Sequence, residues 1–162
     1  MKHILITTIA AVVLVGCGES QSPELPTAEA PDILIHNAAG NGKLEIVKQH
    51  IEQGTDVNEK RNGGYTPLHS ASYNGHIAIA EYLLLNGAEV NARNDGGATP
   101  LHAAAGGAGK ELIELLISNG ADLNAKDKEG QTPVDWADGD DEATDFLRKH
   151  GGKTGEELKA EG

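Results

Sequence analysis

Aromatic residues are scarce: the 162 residues hold one Trp, one Phe and three Tyr. A core must therefore be built from Leu, Ile, Val and Ala, which suits thin layers of small helices better than a large β-sandwich. Cysteine occurs once, which excludes an intramolecular disulfide and a multi-cysteine zinc site. Positive charge is short as well. Thirteen Lys and Arg face 25 Asp and Glu, for a net charge of −12, which argues against the basic footprint of a nucleic-acid binder. The one long apolar run, Ile4 to Val15, would make a helix about 18 Å long, too short for a hydrocarbon core of about 30 Å.

That run follows Met1-Lys2-His3 and ends in Leu14-Val15-Gly16-Cys17. It reads as an export signal rather than a permanent span. The ending resembles the lipobox of bacterial lipoproteins, in which the peptide is cut before a cysteine that then carries lipid. By that resemblance residues 1–16 are a signal peptide and Cys17 is the lipid attachment site, several acyl chains holding a membrane stably where one holds it weakly. Cleavage removes Lys2 alone among the charged side chains, so the mature chain is more acidic still. Gly18 stands where an Asp often marks inner-membrane retention, so the resemblance implies a periplasm-facing protein, on the outer membrane in a Gram-negative cell. Residues 17–31, with three prolines and no apolar periodicity, read as the lipidated cysteine and a disordered tether.

Beyond Asp32 the chain is periodic. Thr66-Pro67-Leu68-His69 recurs as Thr99-Pro100-Leu101-His102 and again as Thr132-Pro133-Val134-Asp135, at one constant interval. Thr55-Asp56-Val57-Asn58, Ala88-Glu89-Val90-Asn91 and Ala121-Asp122-Leu123-Asn124 keep the same spacing, as do Gly54, Gly87 and Gly120. Each string has a physical reading. Thr66 caps a helix whose first position takes Pro67, where a missing N–H costs nothing. A second helix follows from about Ile77, with Ile79, Ala80, Leu83 and Leu84 at helical spacing, and Gly87 ends it in a left-handed cap. Val90 plugs the core before a hairpin-like loop from Asn91 to Ala98.

A 33-residue period carrying T-P-L-H resembles the ankyrin repeat. The expected fold is an all-α solenoid of about four ankyrin repeats, each a helix–turn–helix plus a hairpin-like loop, over residues 32–151. Polar terminal units should cap it, because no unit can bury its apolar face alone. The first unit, Ile33 to Asn58, has Ile33-Leu34-Ile35-His36 in place of T-P-L-H; the last is two residues short between Ala137 and Phe146. Residues 152–162 form a capping tail, in which Thr154-Gly155-Glu156-Glu157 fits a capping box.

Catalytic chemistry finds no support. His36, His69 and His102 share one register, but the resemblance puts repeats about 10 Å apart, whereas zinc ligands converge at about 2 Å. Ser70, Ser72 and Ser118 lack a glycine elbow, and Gly106-Gly107-Ala108-Gly109 does not complete a phosphate loop. No catalytic residue, cofactor, metal ligand or small-molecule substrate is expected. The acidic run Asp138-Gly139-Asp140-Asp141-Glu142 leaves open a second reading, a metal- or ligand-binding component, since hard cations take carboxylate oxygens.

What remains is recognition by surface. The resemblance implies a protein partner held by hairpin tips and concave helix ends. The tips are Asn62, Gly63 and Tyr65, then Asp95, Gly96 and Ala98, then Lys128, Glu129 and Gln131; the helix ends are Tyr73 and Asn74, then Gly106 and Gly107. Tyr65 and Tyr73 are the aromatic anchors of that set, unless they pack on the neighbouring repeat. Trp136 shares the register of Ser70 and Ala103 and is expected in the core of the last repeat. Lys60, Arg93 and Lys126 share another register, readable as a clamp for an acidic or extended segment or as a solvated, ion-paired face.

Overall fold

A computed structural model describes residues 33–137 and 141–161. Among them the chain forms nine helices: α1 Ile35–Gly40, α2 Leu44–Glu52, α3 Pro67–Tyr73, α4 Ile77–Leu85, α5 Pro100–Ala105, α6 Lys110–Ser118, α7 Pro133–Trp136, α8 Asp141–Lys149 and α9 Gly155–Ala160. They pair as four stacked helix–turn–helix units closed by α9. The leader, Cys17 and the tether lie outside the described residues.

The short helices α1, α3, α5 and α7 pack side by side as one layer, with α2, α4, α6 and α8 behind them. Their close approach has a sequence cause. Ala38, Ala71, Ala104 and Ala137 occupy one register of the repeat, and all four are buried. A methyl at this register leaves room for the neighbouring backbone. Between the layers Val47, Leu68, Leu83, Leu101, Leu112, Ile113, Leu116 and Leu147 are fully or almost fully buried, the aliphatic core that the missing aromatics required. Each outer helix ends in a glycine at positive φ: Gly54 (83°), Gly87 (89°), Gly120 (87°) and Gly151 (97°), a conformation open to Gly and costly to most other residues.

Three ladders at fixed offsets lock unit to unit. In the first, the side-chain amide of Asn58 donates to the Gly87 carbonyl (3.0 Å) and accepts from Glu89 N–H (2.8 Å). Asn91 repeats this with Gly120 and Asp122, and Asn124 with Gly151 and Lys153. The Asn-to-Gly step is 29 residues twice and then 27, which places the two-residue shortening inside the last unit without breaking the stack. The second ladder joins hairpin backbones: Asp95 N–H donates to Gly63 O (2.7 Å) and Lys128 N–H to Gly96 O (2.8 Å).

The third runs through the histidines. Thr66 N–H donates to His69 Nδ1 (3.2 Å). An N–H can only donate, so Nδ1 is bare and Nε2 carries the proton, which goes to the Ala98 carbonyl (3.1 Å) of the next unit. His102 does the same between Thr99 and Gln131. His36 donates onward to the Glu59 and Tyr65 carbonyls (2.8 and 3.1 Å). Ile33 occupies its capping register, and His36 Nδ1 is buried without a partner among the described residues. At the last unit Asp135 replaces histidine. Its carboxylate accepts from Thr132 N–H (2.8 Å) and from Gly155 N–H (2.7 Å), the first residue of α9. Thr154 caps α9 in the box expected from the sequence, with Glu157 accepting from Thr154 N–H (2.7 Å). That bond, with the Arg148 pair at 3.0 Å, holds the Glu157 carboxyl below its usual range.

Candidate functional site

The inner helices and hairpins together line a groove of about 480 Å³ that reaches from α1 to α7. Its wall residues include Asn37, Gly40 and Asn41 from the first unit, Tyr65, Ser70, Tyr73 and Asn74 from the second, Ala98 and Ala103 from the third, and Trp136 from the fourth. No Asp, Glu, Lys or Arg is among them, on a chain of net charge −12. A second trough of about 450 Å³ follows the hairpin tips, lined by Gly63, Tyr65, Asp95, Gly96, Asp127, Lys128, Glu129 and Trp136. It carries three carboxylates and one cation.

Three aromatic rings shape the groove, and each is held differently. Tyr65 leaves its hairpin, bridged to Arg61 through both backbones, and stands edge-on to His69 at 5.6 Å with 44% of its surface exposed. Tyr73 ends α3 and is 60% exposed. Trp136 stands edge-on to His102 at 5.4 Å and donates its indole N–H to Asp127 (3.0 Å). That carboxylate also accepts from Glu129 and Gln131 N–H (2.9 and 2.8 Å), so the third hairpin and the Trp136 ring are set by one side chain.

The two inner histidines below the rings are neutral structural groups. Burial pushes the His69 pKa down to about 4, with Lys60 and His102 adding to the shift against the bond to Ala98. Burial lowers His102 too. Asp135 goes below the usual carboxylate range although burial opposes it, because the Thr132 and Gly155 N–H groups and the Thr132 hydroxyl bind the ionised form.

The residues singled out from sequence divide into groups. Tyr65, Tyr73 and Asn74 meet in the groove; Tyr65, Asp95, Lys128 and Glu129 meet in the tip trough. Lys60, Asn62, Arg93 and Lys126 line neither. The cation column is directed along the stack: Lys60 Nζ donates to the Arg93 carbonyl (3.0 Å) and Arg93 to the Lys126 carbonyl. Lysine and arginine here tie repeats together through backbone oxygens. Asn62 sits at a hairpin tip with φ 26°. Trp136 departs from its expected place. It is half-buried, packs on the edge of the core and lines the groove, because its register, shared with Asn37, Ser70 and Ala103, faces the groove in every unit. Asn37 and Asn41 are groove residues that the sequence reading missed; the shared register of Asn41 and Asn74 was the available signal.

Of the acidic run, residues 138–140 lie outside the described residues. Asp141 opens α8, and Glu142 pairs with Lys110 at 3.6 Å. Among the described residues no group of three His, Cys, Asp or Glu is placed to hold a metal ion, and no helix is long and apolar enough to cross a membrane.

No curated protein matches the chain. Two family models do. One, for ankyrin repeats in three copies, matches residues 11–94, and another, for ankyrin repeats in many copies, matches residues 85–137. Proteins of this kind generally mediate protein–protein interaction and are generally non-catalytic. With the constant repeat interval, the capped helix pairs and the inter-repeat ladders, these matches show that the chain belongs to the ankyrin repeat family.

Proposed function

We propose that this protein is a non-catalytic binding module whose partner lies across the concave groove. The observation that carries this reading is the groove itself: all four units contribute to one concavity with Tyr65, Tyr73 and Trp136 along it. Its volume is in the range of specific binding sites, and exposed aromatic rings are the usual anchors of protein interfaces. The test is a photo-crosslinking amino acid at position 73 compared with the same group at Glu114, an exposed position on the outer helix α6. Partner crosslinks from 73 and not from 114 support the groove; the reverse pattern rejects it.

The proposal includes the anchor. Cys17, at the end of the Ile4–Val15 run, carries lipid and tethers the repeats to the cell envelope on the periplasmic side. Labelling with a palmitate analogue tests it: wild-type protein takes label and Cys17→Ser does not. Unlabelled wild-type protein rejects the anchor and leaves the groove reading intact.

A further inference from the structure

The groove has a gap in its wall. Gly40, Tyr73 and Gly106 share one register of the repeat, so the Tyr73 ring stands with a glycine on the repeat at either side. The next wall register holds Asn37, Ser70, Ala103 and Trp136. Between Tyr73 on α3 and Trp136 on α7, helix α5 lends the groove only Ala103, and the exposed Gly106 follows just past its end beside the Trp136 ring. A single repeat has been emptied of side chains between two aromatic walls.

The glycine at 106 is not required by the backbone. Its φ of −81° and ψ of −8° suit any residue. A Cβ there would meet the His102 carbonyl and the Trp136 ring at 3.6 Å, an ordinary contact. Gly107 differs, since its Cβ would lie 2.7 Å from the Tyr73 carbonyl oxygen. Packing accounts for Gly107 and leaves Gly106 without a structural reason. At a backbone geometry that other residues can adopt, glycine costs about 0.4–1 kcal/mol relative to Ala through the extra freedom of the unfolded chain.

The chemistry around the slot is uncharged. Asn37 and Asn41 have no side-chain partner among the described residues, and Asn74 uses only its N–H₂ group, on Ser70 O (2.9 Å). Free amides offer both donors and acceptors, the complement of an extended backbone. An ionic segment would find no counter-charge in the groove and would lose hydration on entering it. Adjacent packed helices stand about 8–10 Å apart, so three steps from α1 to α7 span roughly 24–30 Å, the reach of about eight extended residues at ~3.3 Å each.

Building on the groove reading above, we infer that the partner contributes an extended, uncharged peptide segment of about that length, with one apolar side chain seated on Ala103 and Gly106 between Tyr73 and Trp136. Gly106 is then a specificity-determining residue, present as the absence of a side chain.

Panning a displayed library of random linear peptides against the full chain tests this. Enriched peptides should be poor in Lys, Arg, Asp and Glu, share one apolar position, and bind equally at low and high salt, because no ion pair is available to screen. Gly106→Leu fills the slot and should weaken them at least about tenfold while melting at or above the wild-type temperature. Tyr73→Ala, at an exposed position, should weaken them with unchanged melting. Enriched peptides that are charged and salt-sensitive, or that bind Gly106→Leu like wild type, overturn the inference and leave the groove as a protein site. Failure to enrich any peptide overturns it also. Peptides that crosslink from position 114 and not from 73 overturn both this inference and the groove reading.

Discussion

Lowering the pH should unfold this solenoid from its middle. The perturbation is protonation of His69, whose ring is buried between Thr66 and the Ala98 carbonyl with a pKa of about 4. Unfolded histidine titrates near 6.5. Above that value the ring is neutral in both states and its contribution is fully present. Between the two values the unfolded chain takes up a proton that the folded chain refuses, so stability falls as the pH drops. Below about 4 both states are protonated and the loss is complete. The linkage relation gives about 2 kcal/mol lost by pH 5 and about 3 kcal/mol by pH 4 from this ring alone. His102, also shifted down by burial, acts in the same direction. The cause is burial, which penalises the charged ring, and a proton on Nδ1 would also face the Thr66 N–H, a donor against a donor. Asp135 joins only at lower pH, since a carboxyl held below its usual range loses its contribution as the pH falls through that range. Urea melts from pH 7 to 5 thus isolate the histidines, and NMR titration of the His69 ring reads the shift directly. Stability unchanged from pH 7 to 5, or a folded-state ring titrating near 6.5, would refute the argument.

Other expectations follow from the packing and the ladders. Leu101→Ala and Leu116→Ala, fully buried in the third unit, should each cost about 2–5 kcal/mol in urea melts, and half-buried Leu158→Ala in α9 less than either. Asn91→Ala removes two inter-repeat bonds at an exposed position and should cost about 1–2 kcal/mol; an unchanged melt would make that ladder ornamental. Arg93→Glu turns a carboxylate toward the Lys126 carbonyl in place of a donor, so it should lower stability by about 1 kcal/mol and spare groove binding; the opposite result would restore the clamp reading of the cation column. Gly155→Ala drives a methyl into the Gly130 carbonyl oxygen and should release α9, seen as faster hydrogen exchange over 155–160 with the inner repeats still protected.

Much of the architecture was legible because it is local. A Thr cap, a Pro at the first helical position and a terminal Gly act within one unit, and their regular recurrence multiplies the signal. The tail's capping box was readable for the same reason. The shortening of the last unit was visible as a lost register, and the stack absorbs it in the Asn124-to-Gly151 step. What the sequence hid lies between units. The partners of Lys60 and Arg93 are backbone carbonyls one full repeat further on, and carbonyls carry no sequence signature. Trp136 shares a register with Ser70 and Ala103, residues small enough to hide that this register lines the groove. The slot at Gly106 emerges only when Gly40, Tyr73 and Gly106 are set side by side.

The histidine ladder also has a direction, and it stops. His69 and His102 each take a hydrogen from their own unit and hand one forward, and His36 only hands one forward, so each of these units must meet an oxygen on the next. Asp135 breaks the sequence of hand-offs, because a carboxylate has nothing to hand on and instead receives the Gly155 N–H. A fifth hairpin would bring a carbonyl to that spot, and two oxygens would face each other with no proton between them. Asp135 therefore suits the fourth unit to meet an N–H group rather than a carbonyl, and α9 supplies that group. Lengthening this array would take more than inserting another unit before Thr132. It would have to leave Asp135 and its glycine together at the far end, as a terminator that travels as one piece.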